Sequence, residues 1–111
     1  MAVGSVEILQ KTILASAALT QFRGATLAGA AASAAGNGYI AAVGAASGAR
    51  TTVTVLGTCV AEAGAAVSAN ALLEFDSSGR VVTRSSGAIV GRAITAASAS
   101  GSQLEMLVIP N

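Results

Sequence analysis

Large apolar residues fall in short clusters along the chain: Ile8, Leu9, Ile13 and Leu14; Val53, Val55 and Leu56; Leu72, Leu73 and Phe75; Ile89, Val90 and Ile94; and Leu104 to Ile109. Small residues and turn formers separate them, which predicts short strands and an all-β class. Residues 10–19 alternate Ile13, Ala15, Ala17 and Leu19 against Thr12, Leu14 and Ser16, a pattern that fits a half-buried strand as well as a weak helix. Thr51 to Val60 is a firmer strand, because its β-branched run disfavours helix and suits a pleated surface. Gly57 within it marks a bulge or a close neighbour. The strongest local signal is a hairpin from Leu72 to Arg84. Asp76 starts a turn through Ser77 and Ser78, Gly79 takes the left-handed conformation, and Arg80 closes the loop. Phe75 then faces Val81 and Leu73 faces Thr83, with Glu74 opposite Val82. Two further strands are expected, Ala88 to Ala93 and Leu104 to Ile109. The last alternates Leu104, Met106 and Val108 with Leu107 and Ile109, which predicts cover on both faces before Pro110 stops it.

Residues 24–48 are a low-complexity Ala/Gly/Ser stretch whose one good turn signal is Asn37-Gly38. It reads as extended loop or irregular strand, with a short helix over 28–35 as the alternative. As an uncharged run it also invites a membrane reading, but glycines interrupt it and only Leu27, Tyr39, Ile40 and Val43 are large. No membrane partner is expected. Nor does the N-terminus show a basic segment feeding an apolar core, so the expected setting is the cytosol or something assembled there.

Composition sharpens this picture. At 111 residues, 53% hydrophobic but 3% aromatic, the chain has one thin core rich in Ala and Gly. Six basic and five acidic residues give a net charge of +1, without the basic footprint that nucleic-acid binding uses. Histidine is absent and Cys59 is the single cysteine, which removes the commonest general base and any zinc-site spacing. Cys59 reads as a small buried thiol in a strand. Among the acids only Glu74 and Asp76 fall close together, on the solvent face of the hairpin, where neither carboxyl is desolvated as acid/base work requires. Gly24 to Gly29 and Gly44 to Gly48 imitate phosphate-loop fragments without the Lys-Ser/Thr pair that would follow. No enzyme activity, cofactor or metal is expected.

From Gly57 onward the order of features is Val60-Ala61-Glu62-Ala63-Gly64-Ala65-Ala66-Val67, Ala71-Leu72-Leu73-Glu74-Phe75-Asp76, Ser78-Gly79-Arg80-Val81-Val82, Ile89-Val90-Gly91-Arg92-Ala93 and Gly101 to Leu107. This half of the chain resembles the decoration, or structural cement, proteins of tailed-phage capsids, although Ser68-Ala69-Asn70 stands where that family often has a Gly-Asp turn. The resemblance implies a small β-barrel or sandwich of short antiparallel strands with Ala/Gly-rich loops. It also implies a homo-oligomer, such as a trimer, assembled in the host cytoplasm and bound to the major capsid protein on the outer surface of the virion. Residues 1–20 are expected as an N-terminal arm or first strand and 21–111 as a single β-domain. Val6, Glu7, Ile8, Leu9, Gln10 and Lys11 are the candidate capsid-contact arm, against the alternative of a first core strand. Two other readings remain. One is a fibre or adhesin base module; the other is a carbohydrate-binding β-domain using Phe22, Tyr39 and Phe75.

Overall fold

The computed structural model describes residues 4–111, and none of these is helical. Eight strands make one antiparallel sheet: β1 (Val6–Leu14), β2 (Gly24–Ala25), β3 (Tyr39–Ala41), β4 (Arg50–Glu62), β5 (Leu72–Phe75), β6 (Val81–Thr83), β7 (Gly91–Ala93) and β8 (Gln103–Val108). The lateral order is β2-β3-β4-β8-β7-β5-β6, with β1 added on β4. Its two ends come together, so the sheet nearly closes into a barrel. Ala63, just past β4, bridges Val81 in β6. Gly24 N–H donates to the Gly79 carbonyl at 2.7 Å.

β4 is the trunk. Arg50 to Thr54 and Leu56 to Thr58 pair with β1, while Val53 and Thr54 pair with β3 and Gly57 to Glu62 with β8. Gly57 has φ +102, and a methyl there would strike the Val6 carbonyl and the Ile8 amide. Glycine at this position is therefore what allows β1 to lie against β4 where the pairing shifts.

The hairpin has Phe75 opposite Val81, Glu74 opposite Val82 and Leu73 opposite Thr83. The Asp76 carboxylate accepts the Ser78 and Arg80 amides, and Gly79 has φ +76. This turn lies at the barrel seam, with Ser77 and Ser78 exposed at its tip. Arg80 Nε lies 2.6 Å from Glu62 Oε2, and Arg23 Nε lies 3.1 Å from Glu62 Oε1. One carboxylate at the end of β4 thus ties the hairpin to the chain entering β2.

The core is as thin as the composition requires. Its largest fully buried side chains are Phe75, Ile40, Leu73, Leu104 and Met106, and alanines 25, 41, 61, 63 and 93 fill the gaps without exposure. Residues 24–38 wrap the Phe75 ring. A methyl at Gly24 would sit 2.6 Å from Phe75 Cε1, and the Ala35 amide donates to the Phe75 carbonyl. The Ala/Gly composition of this segment is therefore a packing requirement, since a larger side chain would hold the backbone away from the ring.

Several expectations are corrected. The first strand begins at Val6 and ends at Leu14, so Ile13, Ala15 and Leu19 are buried but Ala17 is exposed once the chain leaves the strand. The turn expected at Asn37-Gly38 falls at Ser33 to Gly36, where the Gly36 amide reaches the Ser33 carbonyl and Ala35 takes φ 58. The penultimate strand shortens to Gly91–Ala93. β8 is covered on one face only: Leu104, Met106 and Val108 are buried, whereas Leu107 is 42% exposed.

Gly24→Ala is expected to lower the unfolding free energy by about 1–3 kcal/mol through overpacking against Phe75. Urea denaturation followed by far-UV circular dichroism measures this directly; an unchanged midpoint would show that the wrap is loose.

Candidate interaction surface

Residues directly opposite one another on neighbouring strands share a face of the sheet. Val6 pairs with Thr58, Thr58 with Leu107, Leu107 with Arg92 and Arg92 with Leu72. These five residues form a row running across β1, β4, β8, β7 and β5. Val6 is 68% exposed, and Leu9 and its partner Leu56 are 55% and 39% exposed. Ile8 and Ile94 are exposed as well. An outer sheet face carrying this many large apolar groups marks a surface made to be covered.

Polar groups in the row are held in place. The Val6 amide donates to Thr58 Oγ1 at 2.8 Å, and that hydroxyl donates to Glu105 Oε2 at 2.8 Å. Arg92 Nη1 donates to the Asn70 carbonyl at 2.7 Å. The guanidinium is thereby oriented while its remaining donors stay exposed at the edge of the apolar row.

The candidate arm Val6, Glu7, Ile8, Leu9, Gln10 and Lys11 lies in the first part of β1, hydrogen-bonded to β4 and exposed at every position. It is thus a strand of the sheet whose side chains do little of the core's packing. The candidate turn Asp76, Ser77, Ser78, Gly79 and Arg80 lies elsewhere, at the seam, with Ser77 and Ser78 exposed and Gly79 buried. Sequence reading alone missed the Thr58, Leu107 and Arg92 row. Its one trace is Leu107, an apolar residue at the solvent position of an alternating strand.

The carboxylates that sequence placed together are both engaged by backbone. Glu74 Oε1 accepts the amides of Ser85, Ser86 and Gly87. These bonds, Ser85 first, hold its carboxyl below the usual carboxylate range. Asp76 is committed to its own turn. Nor do the three aromatic residues form a platform. Phe75 is 1% exposed, and the Tyr39 hydroxyl is bound to the Asn111 backbone.

Comparison with known proteins gives two findings. A family described as phage cement protein matches residues 4–109. The N base of the head fiber gp8.5 in bacteriophage phi29 has a similar fold, with a TM-score of 0.73 at 19% identity over 91% of this chain and 93% of that one. Among curated proteins nothing matches.

One nucleophile remains, Cys59. It lies opposite Met106 and is 5% exposed, at the wall of a cavity of about 270 Å³ shared with Phe22, Ile40 and Glu7. Burial first, then the charges of Glu7 and Glu105, push its thiol up to about 12. In the unfolded chain the thiol ionises near its ordinary value, so the folded state alone retains the proton between about pH 9 and 12. Stability from this group is therefore complete below that window and lost as pH rises through it. Folded protein at pH 8 is expected to resist thiol-reactive probes and to react on denaturation; fast labelling of the native state would contradict this placement.

Proposed function

The chain belongs to the phage cement protein family, and on that premise we propose that it decorates the outer surface of a phage capsid and stabilises it by binding the major capsid protein. The supporting observation is the exposed apolar row from Val6 through Thr58 and Leu107 to Arg92. It is built into a rigid sheet, so covering it costs little ordering entropy. Binding acts through buried area and backbone shape rather than through chemistry. The outer side chains of Val6 to Lys11 extend the row as a contact arm, and Arg92 at its edge selects a carboxylate or carbonyl on the partner. Several copies held in a homo-oligomer, a trimer by the family resemblance, would multiply weak contacts on a repeating lattice.

A second reading is favoured by the likeness of fold to the head fiber base: the barrel would act as a base carrying further chain outward from the head. The readings differ in copy number, since a cement protein occupies a whole class of lattice sites.

The test is to incubate the protein with expanded heads that lack it, measure co-sedimentation and stoichiometry, and record the temperature at which the heads break down. Saturating binding with a raised breakdown temperature is expected. Leu107→Glu, folded as judged by circular dichroism, is expected to lose at least about tenfold in affinity. No binding and no gain in heat resistance would sink the proposal, whereas sparse occupancy without stabilisation would favour the fibre base.

A further inference from the structure

We propose that the cavity beside the start of β1 receives a large apolar side chain of the capsid protein, with a lysine or arginine next to it that pairs with Glu7 at the cavity mouth. The proposal rests on the capsid-binding reading above and names the chemistry of the partner segment.

The cavity measures about 270 Å³ and grades from exposed to buried residues. Ser5 and Glu7 are exposed at its mouth, Phe22 is half-buried on its wall, and Ile40, Thr54 and Cys59 make a buried floor. That floor offers nothing to an ion. The Thr54 hydroxyl already accepts the Gln10 side-chain amide at 3.3 Å, and Cys59 is an uncharged thiol whose ionisation is pushed up to about 12. A buried floor without a free polar partner takes an apolar group, since a charge there would be desolvated and unmatched.

Phe22 carries the second observation. Its φ of 67 lies in the left-handed region, which bulky residues seldom enter and glycine enters freely. Backbone bonds fix it there: the Phe22 amide donates to the Ala41 carbonyl, and the Phe22 carbonyl accepts the Glu62 amide, each at 2.9 Å. A glycine would make both bonds without strain. Nor does the core require the ring, because Phe22 is outside the cluster of buried core residues. The strain is accounted for by the ring's place on the cavity wall, where it meets whatever fills the cavity.

Charge selects the residue beside the apolar anchor. Glu62, Glu74, Asp76 and Glu105 each have an ion-pair or hydrogen-bond partner, whereas among the described residues Glu7 has none. Arg23, next to Phe22 in the chain, is turned to Glu62. The charges felt at the Cys59 thiol are those of Glu7 and Glu105, both negative. A cation at the mouth is therefore attracted and an anion repelled. Val6, the first member of the apolar row, stands between Ser5 and Glu7 in sequence, so only the start of β1 divides the row from the cavity. An anchored side chain with a charge pair at the rim gives a broad apolar contact its register and its specificity.

NMR titration of the full chain with n-hexylammonium, 1-hexanol and hexanoate tests the cavity. Expected are shifts confined to signals of Phe22, Ile40, Ala42 and Val60, with affinity falling from the ammonium to the alcohol to the carboxylate. Glu7→Gln, at an exposed position, is expected to lower the ammonium's affinity about threefold and leave the alcohol's unchanged. Phe22→Gly, folded as judged by circular dichroism, is expected to lose both. With expanded heads, Ala42→Phe, which fills the cavity, is expected to weaken binding about tenfold. Glu7→Gln is expected to weaken it about threefold and to flatten its salt dependence. No binding of n-hexylammonium, or equal affinity for hexanoate, would overturn the proposal. Heads bound equally well by the parent and both variants would also overturn it and leave the cement function standing. Loss of self-association in these variants, in place of head binding, would make a second copy the occupant and overturn it too. The expected probe affinities in a protein that ignores heads would sink the capsid reading, and the capsid protein as occupant with it, while the cavity's preference for an apolar cation stands.

Discussion

The fold depends on one strand serving three partners. Both edges of β4 are occupied, by β1 along one side and by β3 and then β8 along the other. At Gly57 and Thr58 the strand is flanked on both sides at once, by β1 and by β8. A strand fixed in this way cannot slip by one residue without turning Val53, Cys59 and Ala61 out of the core. Because β4 is fixed, β1 can afford side chains that contribute little to packing. Backbone hydrogen bonds hold it in place, and its apolar groups are released for other use.

Close backbone approach replaces bulk in the rest of the barrel. Where a larger protein would fill its centre with aromatic rings, this one has Phe75 alone fully buried and wraps it with Gly24, Ala32 and Gly38. Polar groups at the seam are matched in the same economical manner. Glu62 serves both Arg23 and Arg80, and the buried Thr51 hydroxyl donates to the Val43 carbonyl. Each such contact is modest, but together they join segments far apart in sequence, which is what a sheet with few large residues needs for a unique closure.

What is legible in the sequence follows from this. The β5-β6 hairpin is legible because Asp76, Gly79 and the alternation around them act within a dozen residues, where turn chemistry and strand period agree. Residues 24–38 are not, because the ring they pack against is Phe75, far along the chain. The Glu62 clamp is hidden for the same reason: its partners lie 39 residues before it and 18 after. Leu107 misleads in the opposite direction. An apolar residue at an outward position reads as evidence of a second covering layer, and alternation alone cannot distinguish a side chain covered by its own chain from one left for a partner.

The distribution of charge supports a surface role over a chemical one. Of the acids, Glu62 is held by two guanidiniums, Glu74 by three loop amides, Asp76 by its turn and Glu105 by the Thr58 hydroxyl. Arg84 and Arg92 are bound to backbone carbonyls. Glu7 and Lys11 have no such ion-pair or backbone anchor among the described residues, and both project from the strand that packs least. The one strongly displaced group among the described residues is Cys59, whose thiol is pushed up by burial and by the charges of Glu7 and Glu105. Much of what the fold leaves exposed, Val6, Ile8, Leu9, Leu56 and Leu107 among the apolar side chains and Glu7 and Lys11 among the charges, lies on β1 and the face beside it, the surface on which the proposed capsid binding rests.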